Sequence, residues 1–287
     1  MPGQSHFFWE RFSHGNKRLK TGTIRNALRL SYGAFCNAKL AQRFRKPYLG
    51  RTSRGMCPLC RQPDSGTHTL GACSHPHMKG LYIERHNETV ASLSKAIGEG
   101  KKGGCLTTMV TDAGWHGKVT GTAEFDRIPQ QVLSDVPEDI LRRTRPDLLL
   151  FERIAGSGAI SLTSLQQNTE RQRCKVHVIE VGFCMETAYL SKFKEKHAQH
   201  QQLIGRLKDA GYGDVQLHLL IFGSTGGMFQ LTQFHLKQLG ITGNPLRLLM
   251  EKLHFRALKR LEQLVGTRRR LEHSNTEPDI RKRKRSG

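Results

Sequence analysis

Cysteine and histidine residues with the spacing of metal ligands lie close together early in the sequence. The segment CPLCRQPDSGTHTLGAC follows the pattern C-x2-C-x7-H-x4-C. The candidate ligands are Cys57, Cys60, His68 and Cys73. Three thiolates and one imidazole complete the closed tetrahedral shell that is typical of a structural zinc ion. His75 and His77 are alternatives to His68 as the nitrogen ligand.

Two acidic residues lie in short apolar segments further along the chain. Asp147 stands near the start of RPDLLLFE (145–152), and Glu180 lies within KVHVIEVGF (175–183). We predict that both segments are buried strands. Carboxylates on neighbouring strands can hold Mg²⁺, which orients a water molecule and neutralises phosphate charge. A nearby lysine would stabilise the negative charge that develops during hydrolysis.

Two other acidic residues near the predicted sheet are weaker candidates for this site. Glu152 comes five residues after Asp147. Because side chains alternate along a strand, Glu152 is expected on the opposite face. Asp112, in VTDAGW, stands beside a predicted strand and has no assigned role.

Helices and further strands must position these acidic segments. The predicted helices are 78–97, 186–210, 229–239 and 245–265, with short helices in 24–46 and a helical turn at 137–143. The predicted strands are 105–115, 145–152, 175–183 and 215–222. The polar stretch 156–173 is predicted to be a loop or a flexible hairpin. This order of elements favours a mixed α/β sheet with helices on its faces.

The charge of the chain indicates a polyanionic partner. Lys and Arg number 46 against 24 Asp and Glu, which gives a net charge of +22. Nucleic acid is the expected partner, since a polyanion bound by many cations releases its counterions. Residues 1–56 carry one acidic residue, Glu10, and from this segment Arg45, Lys46 and Arg54 are candidates for phosphate contact. No apolar segment is long enough to span a membrane, so we expect no membrane partner.

Terminal segments and cysteine usage bear on localisation. The C-terminal run RKRKR is either a nuclear import signal or a nonspecific phosphate-binding tail. The N-terminus lacks the apolar core of a secretory signal. An odd number of cysteines, seven, with only one cluster, is typical of a reducing compartment. We therefore expect a nuclear or cytoplasmic protein.

Several motifs in a fixed order resemble the C-terminal region of site-specific non-LTR retrotransposon proteins. These motifs are CPLC, DSGTH, LGAC, YIERHN, RPDLLLFE and VIEVGF, followed by a Lys-rich helix. In that family a CCHC zinc knuckle precedes a restriction-like endonuclease of the PD-(D/E)XK type. The resemblance covers most of 24–240. It implies a zinc knuckle (57–77) and a restriction-endonuclease-like α/β core (78–243) after a basic helical lead-in (1–56). The hydrophobic pattern predicts a C-terminal helix (244–266), and the basic, polar composition beyond it predicts a disordered basic tail (267–287).

The resemblance also implies roles for residues of the predicted core. Asp147 and Glu180 match the metal-binding acids of the family. The third motif position, two residues after the second acid, holds Gly182 instead of lysine. Related retrotransposon endonucleases resemble one another in carrying this lysine on the following helix. There Lys196 is our first choice and Lys192 and Lys194 are its rivals, the alternative being that all three form a solvated basic face.

The YIERHN helix contributes three further candidates. Arg85 is a candidate for phosphate contact, or else orients the knuckle against the core. His86 falls on the apolar stripe of the predicted helix and is expected to be packed and hydrogen-bonded. Glu88 is a candidate for the additional acid that the first helix of this superfamily sometimes supplies.

The sequence therefore predicts a Mg²⁺-dependent endonuclease that nicks duplex DNA, with RNA as the alternative ligand of the knuckle. Gly182 at the lysine position supports a second hypothesis, a non-catalytic nucleic-acid-binding protein on a decayed nuclease scaffold. A ribosome-associated basic zinc protein is a third. The paired aspartates of a polymerase hairpin are absent from the sequence, so we expect no reverse transcriptase activity in this chain.

Overall fold

A mixed β-sheet with helices on both faces organises the chain. The computed structural model describes residues 5–6, 19–49, 51–52, 54–100, 108–111, 136–154, 160 and 164–274. The helices are α1 (Thr21–Ser31), α2 (Ala38–Arg43), α3 (Pro76–Gly100), α4 (Glu138–Thr144), α5 (Asn168–Gln172), α6 (Tyr189–Asp209), α7 (Gln230–Gln238) and α8 (Gly243–Ser274). The strands are β1 (Ser5–His6), β2 (Pro47–Tyr48), β3 (Arg51–Thr52), β4 (Thr108–Thr111), β5 (Leu148–Arg153), β6 (Cys174–Cys184), β7 (Asp214–Gly223) and β8 (Met228–Phe229).

Strands lie in the order β1-β8-β7-β6-β5-β4 in the main sheet, and β2 pairs with β3 separately. Strand β5 is antiparallel to both β4 and β6. Strand β6 is parallel to β7, and α6 makes the connection between them. This α6 crossover is what a parallel pair requires, since a tight turn cannot join parallel strands.

Side chains that alternate along the central strands belong to two separate apolar clusters, one on each face of the sheet. On one face, Leu148, Leu150 and Ile179 pack with residues of α3 and α8. On the other face, Leu149 and Val178 pack with residues of α6. Burial on both faces explains why β5 and β6 read as continuous apolar runs in the sequence.

A third apolar cluster joins distant parts of the chain around the cysteine-rich segment. Leu30 of α1, Leu70 beside the cysteines, Met78 of α3 and Leu261 of α8 are all buried in it. The segment 57–73, which we call the zinc segment, is therefore packed against the first and last helices and does not stand apart from them.

The predicted α/β class, with a mixed sheet between helices, is confirmed. Helices α3 and α6 and strands β5, β6 and β7 lie where the hydrophobic patterns predicted them. The polar stretch 156–173 contains the short helix α5, and the helix predicted at 245–265 continues to Ser274. No helix in the described part of the chain combines the length and hydropathy of a membrane span.

Candidate functional site

Asp147 and Glu180, which we call the acid pair, face each other on neighbouring strands. Leu148 of β5 pairs with Ile179 of β6, so the antiparallel register places Asp147 opposite Glu180 one step further on. Side chains at directly opposite positions have Cβ atoms about 5 Å apart. The backbone N–H of Val181 donates a hydrogen bond of 2.6 Å to Oδ2 of Asp147 and fixes that carboxylate.

The two carboxylates lie on the sheet face that α6 covers. Leu149 and Val178, two residues from each acid along its strand, belong to the apolar cluster under α6. Two-residue spacing keeps side chains on one face of a strand. Glu180 is buried and Asp147 is partly buried, so the acid pair stands at the edge of that apolar layer.

The environment separates the pKa values of the two acids. Burial raises the pKa of Asp147 above its ordinary value, and the charge of Glu180 adds to this effect. Burial acts in the same direction on Glu180, but His200 and Lys196 outweigh it and hold the pKa of Glu180 below its ordinary value. Such a separation of carboxyl groups is common where one site must both bind charge and transfer protons.

Among the three candidate lysines, Lys196 is the one that reaches the acid pair. Its Nζ lies 2.5 Å from Oε1 of Glu180. Lys192 instead donates a hydrogen bond of 2.7 Å to Glu195, and its Cε lies 4.0 Å from the place that a Cβ on Gly182 would take. Lys194 is exposed to solvent. Residues four apart share a helix face whereas residues two apart do not, which explains why Lys194 points away.

Two histidines complete the surroundings of the acid pair. Nε2 of His200 lies 3.1 Å from Oε2 of Glu180, and His200 is fully buried. Nε2 of His86 lies 3.2 Å from Oδ1 of Asp147. Burial lowers the pKa of His86, but its contact with Asp147 outweighs burial and the pKa lies above its ordinary value. Each acid therefore has one histidine from a different helix.

Sequence reasoning placed His86 on an apolar face and did not connect it with Asp147. It missed His200 altogether. The available signal was the i, i+4 spacing of Lys196 and His200 on the predicted helix, which puts both side chains over the same strand.

The four predicted zinc ligands converge. The ligand atoms of Cys57, Cys60, His68 and Cys73 all lie within 4.8 Å of one another. One cysteine pair comes from a turn in which the N–H of Arg61 donates to the carbonyl of Cys57, and His68 begins a short π-helix, His68–Ala72. Nε2 of His68 lies 3.2 Å from Sγ of Cys60.

The chemistry of this cluster fits a zinc ion. Burial raises the pKa of the Cys57 thiol and raises that of Cys73 to about 12. Burial also acts to raise the pKa of Cys60, but backbone N–H groups of Gln62 and Ser74, together with the thiols of Cys73 and Cys57, outweigh it and hold that pKa below its ordinary value. Backbone donors aimed at a sulfur stabilise the thiolate that zinc needs as a ligand. Three sulfurs and one nitrogen leave no open position in a tetrahedral shell, which indicates a structural role. His75 and His77 stack on each other, with ring centroids 5.6 Å apart, and are outside the cluster.

A buried ion-pair network attaches the zinc segment to α8. Arg268 is 2% exposed, and its Nη1 and Nη2 donate hydrogen bonds of 2.8 and 2.6 Å to the two carboxylate oxygens of Asp64. Its Nε donates a bond of 2.6 Å to Glu272. Tyr48 donates to the same Glu272 carboxylate at 3.0 Å. Arg268 thus bridges the cysteine-rich loop and the helix that follows the sheet in the sequence.

The basic residues singled out from the sequence fall into two groups. Arg45, Lys46 and Arg54 are exposed on the segment that precedes the cysteines. Arg85 is 5% exposed, and its Cζ lies 4.3 Å from the centroid of the Phe183 ring. The first group is available to a partner at the surface, whereas Arg85 lies inside the junction of α3 with β6.

The remaining acidic candidates lie away from the acid pair. Oε2 of Glu152 lies 2.9 Å from Nε2 of His177, and the strand register puts both residues on the face opposite the acid pair, as alternation predicted. Nε of Arg260 donates a hydrogen bond of 2.9 Å to Glu88. Asp112 lies outside the described residues.

The arrangement brings together two facing carboxylates, the ammonium group of Lys196 and the imidazole of His200 from α6, and the imidazole of His86 from α3. The same chain carries a Cys₃His cluster and exposed basic residues. Such a site can hold a hard cation and a proton donor next to a polyanion. No protein-family model matches this chain, and a comparison with characterised proteins found no significant match.

Proposed function

We propose that this protein is a metal-dependent endonuclease that hydrolyses phosphodiester bonds of duplex DNA, as the resemblance to retrotransposon endonucleases implies. The observation that carries the proposal is the acid pair with Lys196 at its edge. Nζ of Lys196 lies 2.5 Å from Glu180, which itself stands opposite Asp147. Few structural roles require two carboxylates, a lysine and two histidines at one point of a sheet.

The order of elements supports a restriction-like core. The chain order is α3, β4, α4, β5, α5, β6, α6 and β7, in which β5 is antiparallel to its neighbours β4 and β6 and α6 leads to the parallel strand β7. Asp147 immediately precedes β5, Glu180 lies in β6, and the lysine lies on α6, which is the arrangement that the resemblance implies. We therefore propose that Gly182 is the position from which the motif lysine has moved to α6.

The acid pair fits a magnesium ion. Carboxylate oxygens are its preferred protein ligands, and the strand register places two carboxylates opposite each other, with Oε2 of Glu180 buried beside the imidazole of His200. Asp147 and Glu180 would hold the ion, which when bound supplies charge neutralisation for the phosphate and an acidified water.

The side chains around the ion have distinct tasks. The N–H of Val181 holds Oδ2 of Asp147, so that the other oxygen, Oδ1, faces His86. The ammonium group of Lys196 stabilises the negative charge that develops on the phosphate during hydrolysis. The buried ring of His200 keeps Glu180 from turning into the apolar layer. His86 holds or releases a proton at Nε2, beside Asp147.

Strand nicking is the direct test of this function. Purified protein is incubated with supercoiled plasmid and Mg²⁺, and nicked circles are quantified. Wild type is expected to nick, and Asp147→Asn and Glu180→Gln are expected to lose at least about 100-fold in rate. Glu152→Gln is the matched control, since this acid lies on the same strand as Asp147 but on the opposite face. Equal activity of wild type and both acid variants would refute the proposal.

A specific observation favours a second candidate, nucleic-acid binding without cleavage. Lys196 and His200 already approach both carboxylate oxygens of Glu180, which neutralises the acid that the metal would need. In that case the zinc segment and the exposed cations bind the polyanion, and the acid pair only stabilises the fold. Salt-dependent DNA binding by a protein that nicks no faster than its acid variants would establish this function.

A further inference from the structure

Gln199 of α6 contacts the surroundings of both members of the acid pair. Its Nε2 donates hydrogen bonds of 3.1 Å to the carbonyl oxygen of Thr144 and 3.3 Å to that of Arg143. Oε1 of the same amide accepts a hydrogen bond of 3.1 Å from Nζ of Lys196. Thr144 is three residues before Asp147 in the sequence. One side chain therefore links the segment that carries the first acid with the lysine that lies beside the second.

The three contacts allow only one orientation of the Gln199 amide. The NH₂ group of a glutamine donates and its oxygen accepts, whereas a backbone carbonyl only accepts and an ammonium group only donates. Turning the amide over would place its oxygen against the carbonyl of Thr144 and its NH₂ group against the ammonium of Lys196. The partners on both sides thus fix the direction of this side chain.

The carbonyl groups that Gln199 contacts lie at the end of α4. The last carbonyl groups of a helix have no N–H partner within it and need donors from elsewhere. Arg143 and Thr144 are the last two residues of α4. Gln199 supplies a donor from another helix, and this contact ties the end of α4 to α6.

The turn between α4 and β5 requires such support. Arg145 has a φ of 25°, in the left-handed region that residues other than glycine seldom adopt. Pro146 follows it, and a residue before proline prefers extended backbone. Strained conformations of this kind persist only where the surrounding structure holds them. Because Asp147 comes two residues after Arg145, the position of its carboxylate depends on this turn.

Gln199 also gives Lys196 a second acceptor. Nζ of Lys196 lies 2.5 Å from Oε1 of Glu180, and this contact ties the ammonium group to the carboxylate. If Glu180 binds a cation, as the proposed function requires, the ammonium group loses part of that attraction. The amide oxygen of Gln199 then keeps Nζ beside the acid pair.

We propose that Gln199 is a positioning residue for the acid pair, whose amide fixes the turn that carries Asp147 and holds the ammonium group of Lys196. This inference rests on the proposed function and deepens it, because it names a residue that acts through Asp147 and Lys196 and needs no contact with the substrate. Loss of the amide should therefore change the order of the turn and the rate of cleavage, but not the affinity for DNA.

Amide exchange of Val181 tests the link to Asp147 without DNA or Mg²⁺. The N–H of Val181 donates to Oδ2 of Asp147, so its protection reports where that carboxylate lies. Gln199→Met removes the donors to α4 at nearly the same side-chain length, and the protection of Val181 is expected to fall about 10-fold. Other protected amides of β6 are expected to stay unchanged, which distinguishes a local effect from a loss of overall stability.

Two further variants complete this test. Gln201→Met is the matched control, since this exposed glutamine of the same helix donates to the carbonyl of His197 and not to α4. Its Val181 protection is expected to equal that of wild type. Gln199→Glu keeps an acceptor for Lys196 but has no N–H donors, so it is expected to lose protection of Val181 as Gln199→Met does. Gln199→Glu carries the test alone if Gln199→Met does not fold.

Plasmid nicking tests the link to Lys196. Gln199→Met is expected to lower the single-turnover rate at saturating DNA and Mg²⁺ about 10-fold or more, and to leave DNA affinity without Mg²⁺ within about 2-fold of wild type. Gln201→Met is expected to nick at the wild-type rate. In protein that already carries Lys196→Met, adding Gln199→Met should cause a smaller further loss than it causes in wild type, because one of its two targets is gone.

The outcomes distinguish this inference from the proposed function. If wild type nicks no DNA, the nuclease is refuted, and the exchange of Val181 still decides whether Gln199 fixes Asp147. A nicking rate of Gln199→Met equal to that of an active wild type would overturn the inference and leave the nuclease in place. Unchanged protection of Val181 in both Gln199 variants would overturn it as well.

Discussion

Lys196 places its ammonium nitrogen 2.5 Å from Oε1 of Glu180, and this contact distinguishes it from the two other lysines of the same helix. The sequence ranked Lys196 first only by analogy, because Lys192 and Lys194 lie within one turn. The structure distinguishes the three lysines by the direction of their side chains. Lys192 extends to Glu195 and to the space over Gly182, and Lys194 extends into solvent.

Substitution of Lys196 is expected to affect cleavage and not DNA binding. Lys196→Met should reduce the single-turnover rate of plasmid nicking about 100-fold or more, since it removes the cation nearest the acid pair. The control Lys194→Met should keep the wild-type rate. A loss in Lys194→Met as large as that in Lys196→Met would contradict this assignment.

Zinc removal is expected to unfold the zinc segment and the end of α8 and to leave the central strands of the sheet folded. A chelator should abolish amide protection across the zinc segment and in the last turns of α8, because a closed Cys₃His site contributes its binding energy to local folding. Strands β6 and β7 should stay protected, since their apolar clusters lie under α3 and α6. Hydrogen exchange measures both regions at once. Unchanged protection of the zinc segment after metal loss would refute a structural role.

DNA affinity is expected to fall with the loss of zinc, since exposed cations such as Arg54 would lose their fixed positions. The measurement is binding of a duplex oligonucleotide before and after chelation. Full affinity without zinc would show that the segment serves folding alone.

Arg268 is expected to be the largest single contributor among the polar side chains of α8. Arg268→Met leaves the buried carboxylate of Asp64 without its cationic partner, and the cost is about 3–5 kcal/mol of unfolding free energy. Denaturant titration measures this loss. Arg270→Met, an exposed neighbour, should change stability by less than about 0.5 kcal/mol. Adding Asp64→Asn to the first variant should recover part of the loss, and its failure to do so would point to packing instead of charge.

The contact between His86 and Asp147 predicts a pH-dependent contribution to stability. The pKa of His86 lies above its ordinary value of 6.5, so the folded state binds the proton more tightly than the unfolded state. This contribution is fully present below about pH 6.5 and is lost as pH rises through the folded pKa. Wild type should exceed His86→Gln most at about pH 6 and least at about pH 9, with a largest difference of about 1 kcal/mol because both side chains remain partly open to solvent. A difference that grows with pH would contradict the assignment.

The acidic site could be predicted from sequence because its carboxylates sit in strands of unambiguous pattern. Asp147 and Glu180 interrupt apolar runs, and alternation correctly put Glu152 on the other face. The histidines could not be connected with the acids, because periodicity shows which face of a helix is buried but not which residue of another element it meets. His86 was therefore placed on the right face without its partner.

The end of α8 was harder to predict for a different reason. Arg268 and Glu272 belong to a stretch rich in charge, which composition alone assigns to solvent. Their burial depends on the ion pair between Arg268 and Asp64, which lies 204 residues earlier in the chain. No local sequence pattern indicates a pairing over such a distance. Residues 275–287 of the predicted tail lie outside the described part of the chain.

The bond between Arg268 and Asp64 constrains how the protein is made. A ribosome synthesises the cysteine-rich loop early, yet the guanidinium that neutralises Asp64 emerges only after the whole sheet. Until then the loop has its cysteines and its contacts with α1 and α3, but not the ion pair and the apolar packing that α8 supplies. We therefore expect the zinc site to reach its final stability only after α8 has been translated. A chain that ends before Arg268 should bind zinc more weakly than the full chain.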